Sequence, residues 1–173
     1  MNRWKVLLIG LVVAITPWFV SASTVDYDVE RVYMDVNVDM VGSMRVREAI
    51  VVKGSLNGFE RKITYRDSTL EPWKAGSVDF SGSSFYNARG VDLSKISAYA
   101  IDKEELGWDV LSKDYEDFEE VTHAIVGNEG VYTKQTTADG VDVKVYSPSE
   151  GGYIVYYFEY FIDQAIVLHE DVA

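Results

Sequence analysis

Two residues of opposite charge, Glu48 and Arg61, stand where the alternation of their segments calls for apolar side chains. In Met44-Arg45-Val46-Arg47-Glu48-Ala49-Ile50-Val51-Val52 the even positions read Met, Val, Glu, Ile, Val. In Phe59-Glu60-Arg61-Lys62-Ile63-Thr64-Tyr65 the odd positions read Phe, Arg, Ile, Tyr. Residues two apart share one face of a strand, so each segment turns one charge toward its buried side. A carboxyl group held there by a cation is either a general acid with altered proton affinity or half of a structural ion pair. The apolar flanks favour the structural pair. A lone buried charge costs on the order of several kcal/mol, and two opposite ones relieve each other when they meet.

The remaining chemical inventory is thin. Asp35-Val36-Asn37-Val38-Asp39 has the D-x-N-x-D opening of a calcium loop, but Met40 occupies the position that needs glycine, and the valines suit an exposed polar strand instead. Asp114 to Glu120 holds five carboxylates in seven residues, the composition of a solvated surface segment more than of a hard-cation site. His123 and His169 are the only histidines, and with no cysteine in the chain no zinc ligand set is visible. Gly82-Ser83-Ser84 lacks the G-x-S-x-G elbow, and no phosphate loop is present. Of the twelve tyrosines, four fall between Tyr153 and Tyr160, where core and sheet packing accounts for them as well as ligand stacking. No cofactor and no metal are expected.

The elements that would position the pair are strands. Val32, Met34, Val36 and Val38 alternate with Tyr33, Asp35, Asn37 and Asp39, the pattern of a strand with one wet side. Met40 to Ser43 supplies a turn, and the Glu48 strand returns as a hairpin. Three routes then lead to Arg61. A turn on Gly54-Ser55 sets Glu48 directly opposite Arg61. A turn on Asn57-Gly58, the stronger turn signal, sets it opposite Asp67. A wider loop carries the chain to a facing sheet and lets the pair meet across the core. The pair is expected and the route stays open.

Beyond Asp67 the pattern weakens. Ser77 to Phe80 and Ile96 to Ile101 read as short strands, and Asp114 to Val121 as one or two helical turns with Leu111, Tyr115 and Phe118 on one side. Gly130 to Thr136 and Val141 to Tyr146 flank Asp139-Gly140 as a hairpin. Tyr153 to Ile162 is apolar on both faces, so it is a central strand or one docked against another domain, and Ala165 to His169 is a last short strand. About eight short strands with one short helix make an all-β antiparallel sandwich.

Arg3 and Lys5 precede an apolar run from Val6 to Val20, and Val20-Ser21-Ala22 suits a signal peptidase. Residues 1–22 are therefore expected to be a signal peptide, or alternatively an uncleaved anchor, and 23–173 the extracytoplasmic sandwich domain. Losing Arg3 and Lys5 takes the formal charge from −12 to −14, which disfavours nucleic acid and anionic lipid as partners. Without cysteine an exported chain has no disulfides and depends on its packed core.

Val46-Arg47-Glu48-Ala49-Ile50 followed by Asn57-Gly58-Phe59-Glu60-Arg61-Lys62-Ile63 resembles the start of a bacterial family of predicted membrane proteins, domain of unknown function 2207. Tyr153 to Tyr157 and Val167 to Ala173 resemble its closing strands, and Phe80 to Asn87 matches loosely. The resemblance implies an extracytoplasmic β-rich domain preceding transmembrane helices, and no assigned activity. This chain stops at Ala173, before those helices, as a truncated copy or a free-standing exported version would. Membrane association is then expected only through the missing helices or an uncleaved N-terminal segment. The expected function is non-enzymatic: binding or assembly with a protein or envelope partner whose identity the residues do not specify. The alternative is a secreted hydrolase of envelope glycan using paired carboxylates, Glu48 among them.

Overall fold

The structure, a computed structural model, describes residues 26–66 and 88–165. In chain order its strands are β1 (Asp26–Val38), β2 (Met44–Leu56), β3 (Phe59–Thr64), β4 (Gly90–Ile101), β5 (Glu119–Glu120), β6 (Val131–Thr136), β7 (Gly140–Tyr146) and β8 (Ser149–Asp163). They form two four-stranded sheets, ordered β1-β2-β8-β4 and β3-β7-β6-β5. Every pairing is antiparallel except β5 with β6. The expected all-β sandwich is what the chain builds.

Alternation explains the layers. Even-numbered side chains of β2 and β8 (Val46, Ile50, Val52, Tyr156, Phe158, Tyr160) meet Ile63 of β3 and Val141, Val143 and Val145 of β7 in the main core. Odd-numbered ones (Ala49, Val51, Val155, Tyr157) point the other way, into a second core closed by Val110, Leu111 and Tyr115. That cover is built from two 3-10 turns, Lys103–Glu105 and Trp108–Leu111. Strand β8 is therefore apolar on both faces because the chain's own connection roofs its outer side, and no second domain is needed to explain the pattern.

The chain takes the third of the three routes. The link is shorter than the expected wide loop: Asn57 and Gly58 carry the chain from the first sheet to the second, so β2 and β3 face each other instead of pairing. Gly58 makes the crossing possible: its φ of +147° suits glycine, and a Cβ there would lie 2.4 Å from the Val145 carbonyl oxygen.

Two expectations change. The buried residue of β1 is Tyr33, whose ring meets Trp108 edge-on at 5.4 Å between centroids. Val32, Met34, Val36 and Val38 lie on the core side of the first sheet but are half exposed, because among the described residues no strand of the second sheet stands beyond β3 to face β1. The expected helix over Asp114–Val121 is instead extended chain running into β5, and the described residues contain no α-helix. Asp117 accepts the Ile96 N–H and the Phe118 N–H bonds the Ile96 carbonyl, while Val121 N–H bonds Tyr132 of β6. These bonds stitch the two sheets together and consume the groups a helix would need; five neighbouring carboxylates would also repel each other on a helix. Tyr115 then joins the second core and Phe118 the first, so they do not share a side.

The expected signal segment, the strand at 77–80 and residues 166–169 of the last strand lie outside the described residues. Among those described, no helix is long and apolar enough to cross a membrane.

Candidate functional site

Strand β2 aims Glu48 inward between Met34 of β1 and Phe158 of β8, its neighbours in register. Strand β3 aims Arg61 at it from the opposite sheet. The guanidinium grips both carboxylate oxygens, Nε to Oε2 at 2.9 Å and Nη2 to Oε1 at 3.0 Å, and donates from Nη1 to the Lys62 carbonyl at 2.8 Å. The Glu48 side chain is 3% exposed and that of Arg61 30%. Burial works against the arginine's charge, but the hydrogen bond and charge of Glu48 outweigh it and raise its pKa above the usual value. Tyr160 lies beside the pair; burial first, then the charge of Glu48, pushes its hydroxyl up to about 12, with Arg61 pulling the other way. A carboxylate gripped on both oxygens by one guanidinium and closed from solvent can anchor two sheets to each other.

The other carboxylate candidates are tied to the fold. Asp35 is held by Arg47, and Asp39 caps its turn by accepting the N–H groups of Val41 and Ser43, each at 2.9 Å. The D-x-N-x-D pattern is thus strand and turn, as expected. In the acidic stretch Glu120 pairs with Lys134 at 2.8 Å and Asp114 with Lys95 at 3.6 Å. Among the described residues no three His, Cys, Asp or Glu side chains gather as metal ligands. His123 is exposed, and His169 lies outside the described residues.

Tyrosines build the second core. Tyr99 stacks on Tyr115 at 4.6 Å, and Tyr115 packs against Tyr157 at 4.9 Å. The Tyr99 hydroxyl donates to that of Tyr115 at 3.0 Å, which in turn donates to the Val110 carbonyl. Burial pushes all three hydroxyls upward. Of the four tyrosines between 153 and 160, Tyr156, Tyr157 and Tyr160 are buried and Tyr153 packs at the edge of the second core, as packing required.

Sequence reasoning passed over one surface. The outer face of the second sheet holds an open depression of about 790 Å³, lined by Lys62, Lys134, Lys144, Asp142 and His123 among others. Its charges are largely matched, Lys134 with Glu120 and Lys144 with Glu60 at 3.5 Å. The only signal available was the wet-face alternation Glu60-Lys62 and Asp142-Lys144, which any solvated strand shows.

No family profile, no curated protein and no solved structure matches the chain.

Proposed function

We propose that this chain is an exported, non-enzymatic domain that works by binding or assembly at the bacterial cell envelope, of the kind its resemblance to domain of unknown function 2207 implies. The observation that carries the reading is the rim of the first sheet. Strand β1 is thirteen residues long and, among the described residues, pairs on one side only. A long edge with unpaired backbone groups is the surface to which another polypeptide adds a strand. The sealing of Glu48 by Arg61 speaks against the glycan-hydrolase alternative, which needs a solvent-open acid beside a second carboxylate.

Two measurements test it. An alkaline phosphatase fusion to residue 66 should be active in the periplasm of a bacterial host; inactivity there removes the export half. A photo-crosslinking residue at exposed Asn37 of β1 should give one discrete envelope adduct, and the same residue at Asp114 should not. Equal labelling at both sites, or glycan hydrolysis by the purified chain that Glu48→Gln abolishes, overturns the binding reading.

A further inference from the structure

We infer that Asn57 is a site of spontaneous covalent modification, at which the side-chain amide closes on the Gly58 nitrogen, loses ammonia and leaves isoaspartate or aspartate in the link between the two sheets. The chemistry starts from the sequence. Asn57 is the only asparagine of the chain followed by glycine. A side chain on the following residue shields its backbone nitrogen, and glycine has none. The structure leaves the reacting groups accessible. Asn57 is exposed to water. Gly58 lies in the link before β3 begins, and among the described residues its N–H donates no hydrogen bond.

The reaction needs water and no other reagent. The Gly58 nitrogen bonds to Asn57 Cγ, the Cγ–Nδ2 bond breaks, and the departing nitrogen leaves as ammonia with the proton that Gly58 gives up. Water then opens the cyclic imide. Cleavage at Cγ gives aspartate, and cleavage at the main-chain carbonyl gives isoaspartate, in which the backbone runs through Cβ and Cγ. Either product adds one negative charge.

Comparable positions elsewhere are held back. In Asp139-Gly140 the Gly140 N–H donates to Thr137 Oγ1 at 3.0 Å, so its nitrogen is engaged. Asn37 stands inside β1, paired with Arg45 and followed by the β-branched Val38. Asn128 precedes Glu129, and its Oδ1 accepts the Ile125 N–H at 2.8 Å.

Isoaspartate lengthens the main chain by one carbon where there is little room for it. The link has two residues, Asn57 and Gly58. On one side Leu56 is 3% exposed and pairs with Ser149. On the other Phe59 pairs with Val145 and stacks on Tyr156 at 4.8 Å between centroids. The Gly58 backbone already lies against the Val145 carbonyl, so the added atom must displace Leu56 or Phe59 from the main core. Arg61 follows Phe59 on the same face of β3, and its grip on Glu48 loosens with that shift. With no disulfide to hold the sheets, the conversion acts as a one-way timer on the fold. It stands apart from the β1 edge on which the binding reading rests, so either holds without the other.

The test follows the purified full chain in mildly alkaline buffer, folded and in guanidinium chloride, by ammonia release, peptide mapping and labelling with an isoaspartyl methyltransferase. In the folded protein, conversion among residues 26–66 and 88–165 should fall on Asn57 alone, at a rate within about tenfold of the unfolded chain's, since no ladder bond has to open first. A slower folded rate, or equal conversion at Asn37 or Asn128, overturns the assignment. The separated isoaspartyl form should then unfold at lower urea than Asn57→Asp, which carries the same charge without the extra carbon. Coincident unfolding curves overturn the timer.

Discussion

Glu48 and Arg61 protect each other unequally, and their replacements should show it. Both oxygens of Glu48 depend on Arg61, in a pocket where the carboxylate is 3% exposed, while the arginine keeps 30% of its side chain in solvent and a bond to the Lys62 carbonyl. In Arg61→Met the stranded carboxylate has no water to reach. In Glu48→Leu the stranded guanidinium can swing outward. Breaking a buried pair from one side costs about 3–5 kcal/mol, so Arg61→Met belongs near the top of that range and Glu48→Leu below it. For a domain of this size each kcal/mol moves the melting temperature by about 2–4 °C, which puts the Arg61→Met loss at about 10–20 °C. The double variant Glu48→Leu/Arg61→Met should fall within about 1 kcal/mol of the parent, because packed apolar side chains avoid the desolvation of both ions. Urea unfolding of the four proteins closes the cycle, with an expected coupling of about 3 kcal/mol or more. Additive single losses, or a cheaper Arg61→Met than Glu48→Leu, refute the reasoning.

Three further outcomes follow from the packing. Gly58→Ala forces a Cβ to 2.4 Å from the Val145 carbonyl at a φ of +147°, and should cost about 2 kcal/mol or more in chemical denaturation. Tyr115→Phe removes the hydroxyl that serves both Tyr99 and the Val110 carbonyl, and should cost about 1–2 kcal/mol by the same measurement. In alkali the buried tyrosines stay protonated while those of an unfolded chain ionise near pH 10. The unfolded state then binds fewer protons, so stability holds below about pH 10 and falls above it, by up to about 1.4 kcal/mol per pH unit for each such tyrosine. Phenolate absorbance should therefore rise in two stages, with the second coinciding with loss of the β circular-dichroism signal near the pH 12 reached by Tyr160. A single smooth titration of all tyrosines in the folded protein contradicts this.

The ion pair was legible because a charge interrupting a strict alternation of apolar residues is conspicuous, and both strands carried one. The path between them was not. Gly54-Ser55 and the stronger Asn57-Gly58 both signal a turn, and only the close approach of the Gly58 backbone to Val145, a residue 87 positions away, decides that the chain changes sheets. Alternation in β1 revealed two faces without showing which one the rest of the protein covers. Tyr33 is buried because Trp108 arrives from a distant connection, and the valine row is half bare because, among the described residues, the opposing sheet has no strand beyond β3. The stretch Asp114–Val121 misled because its spacing of aromatic residues suits a helix, whereas its hydrogen bonds go to Ile96 and Tyr132 on other strands. The depression on the second sheet carried no pattern beyond that of ordinary wet strands.

Strand β8 sits between β2 and β4, pairing Met44 with Ile162 and Ala100 with Ile154. A ribosome makes the middle of that sheet after both its flanks. Until residues 149–163 emerge, β2 and β4 have nothing to join them, and each must wait with an apolar face bare. Native structure in the first sheet therefore arrives late and all at once, and nascent chains arrested before residue 149 should be cut by protease as readily as unstructured polypeptide.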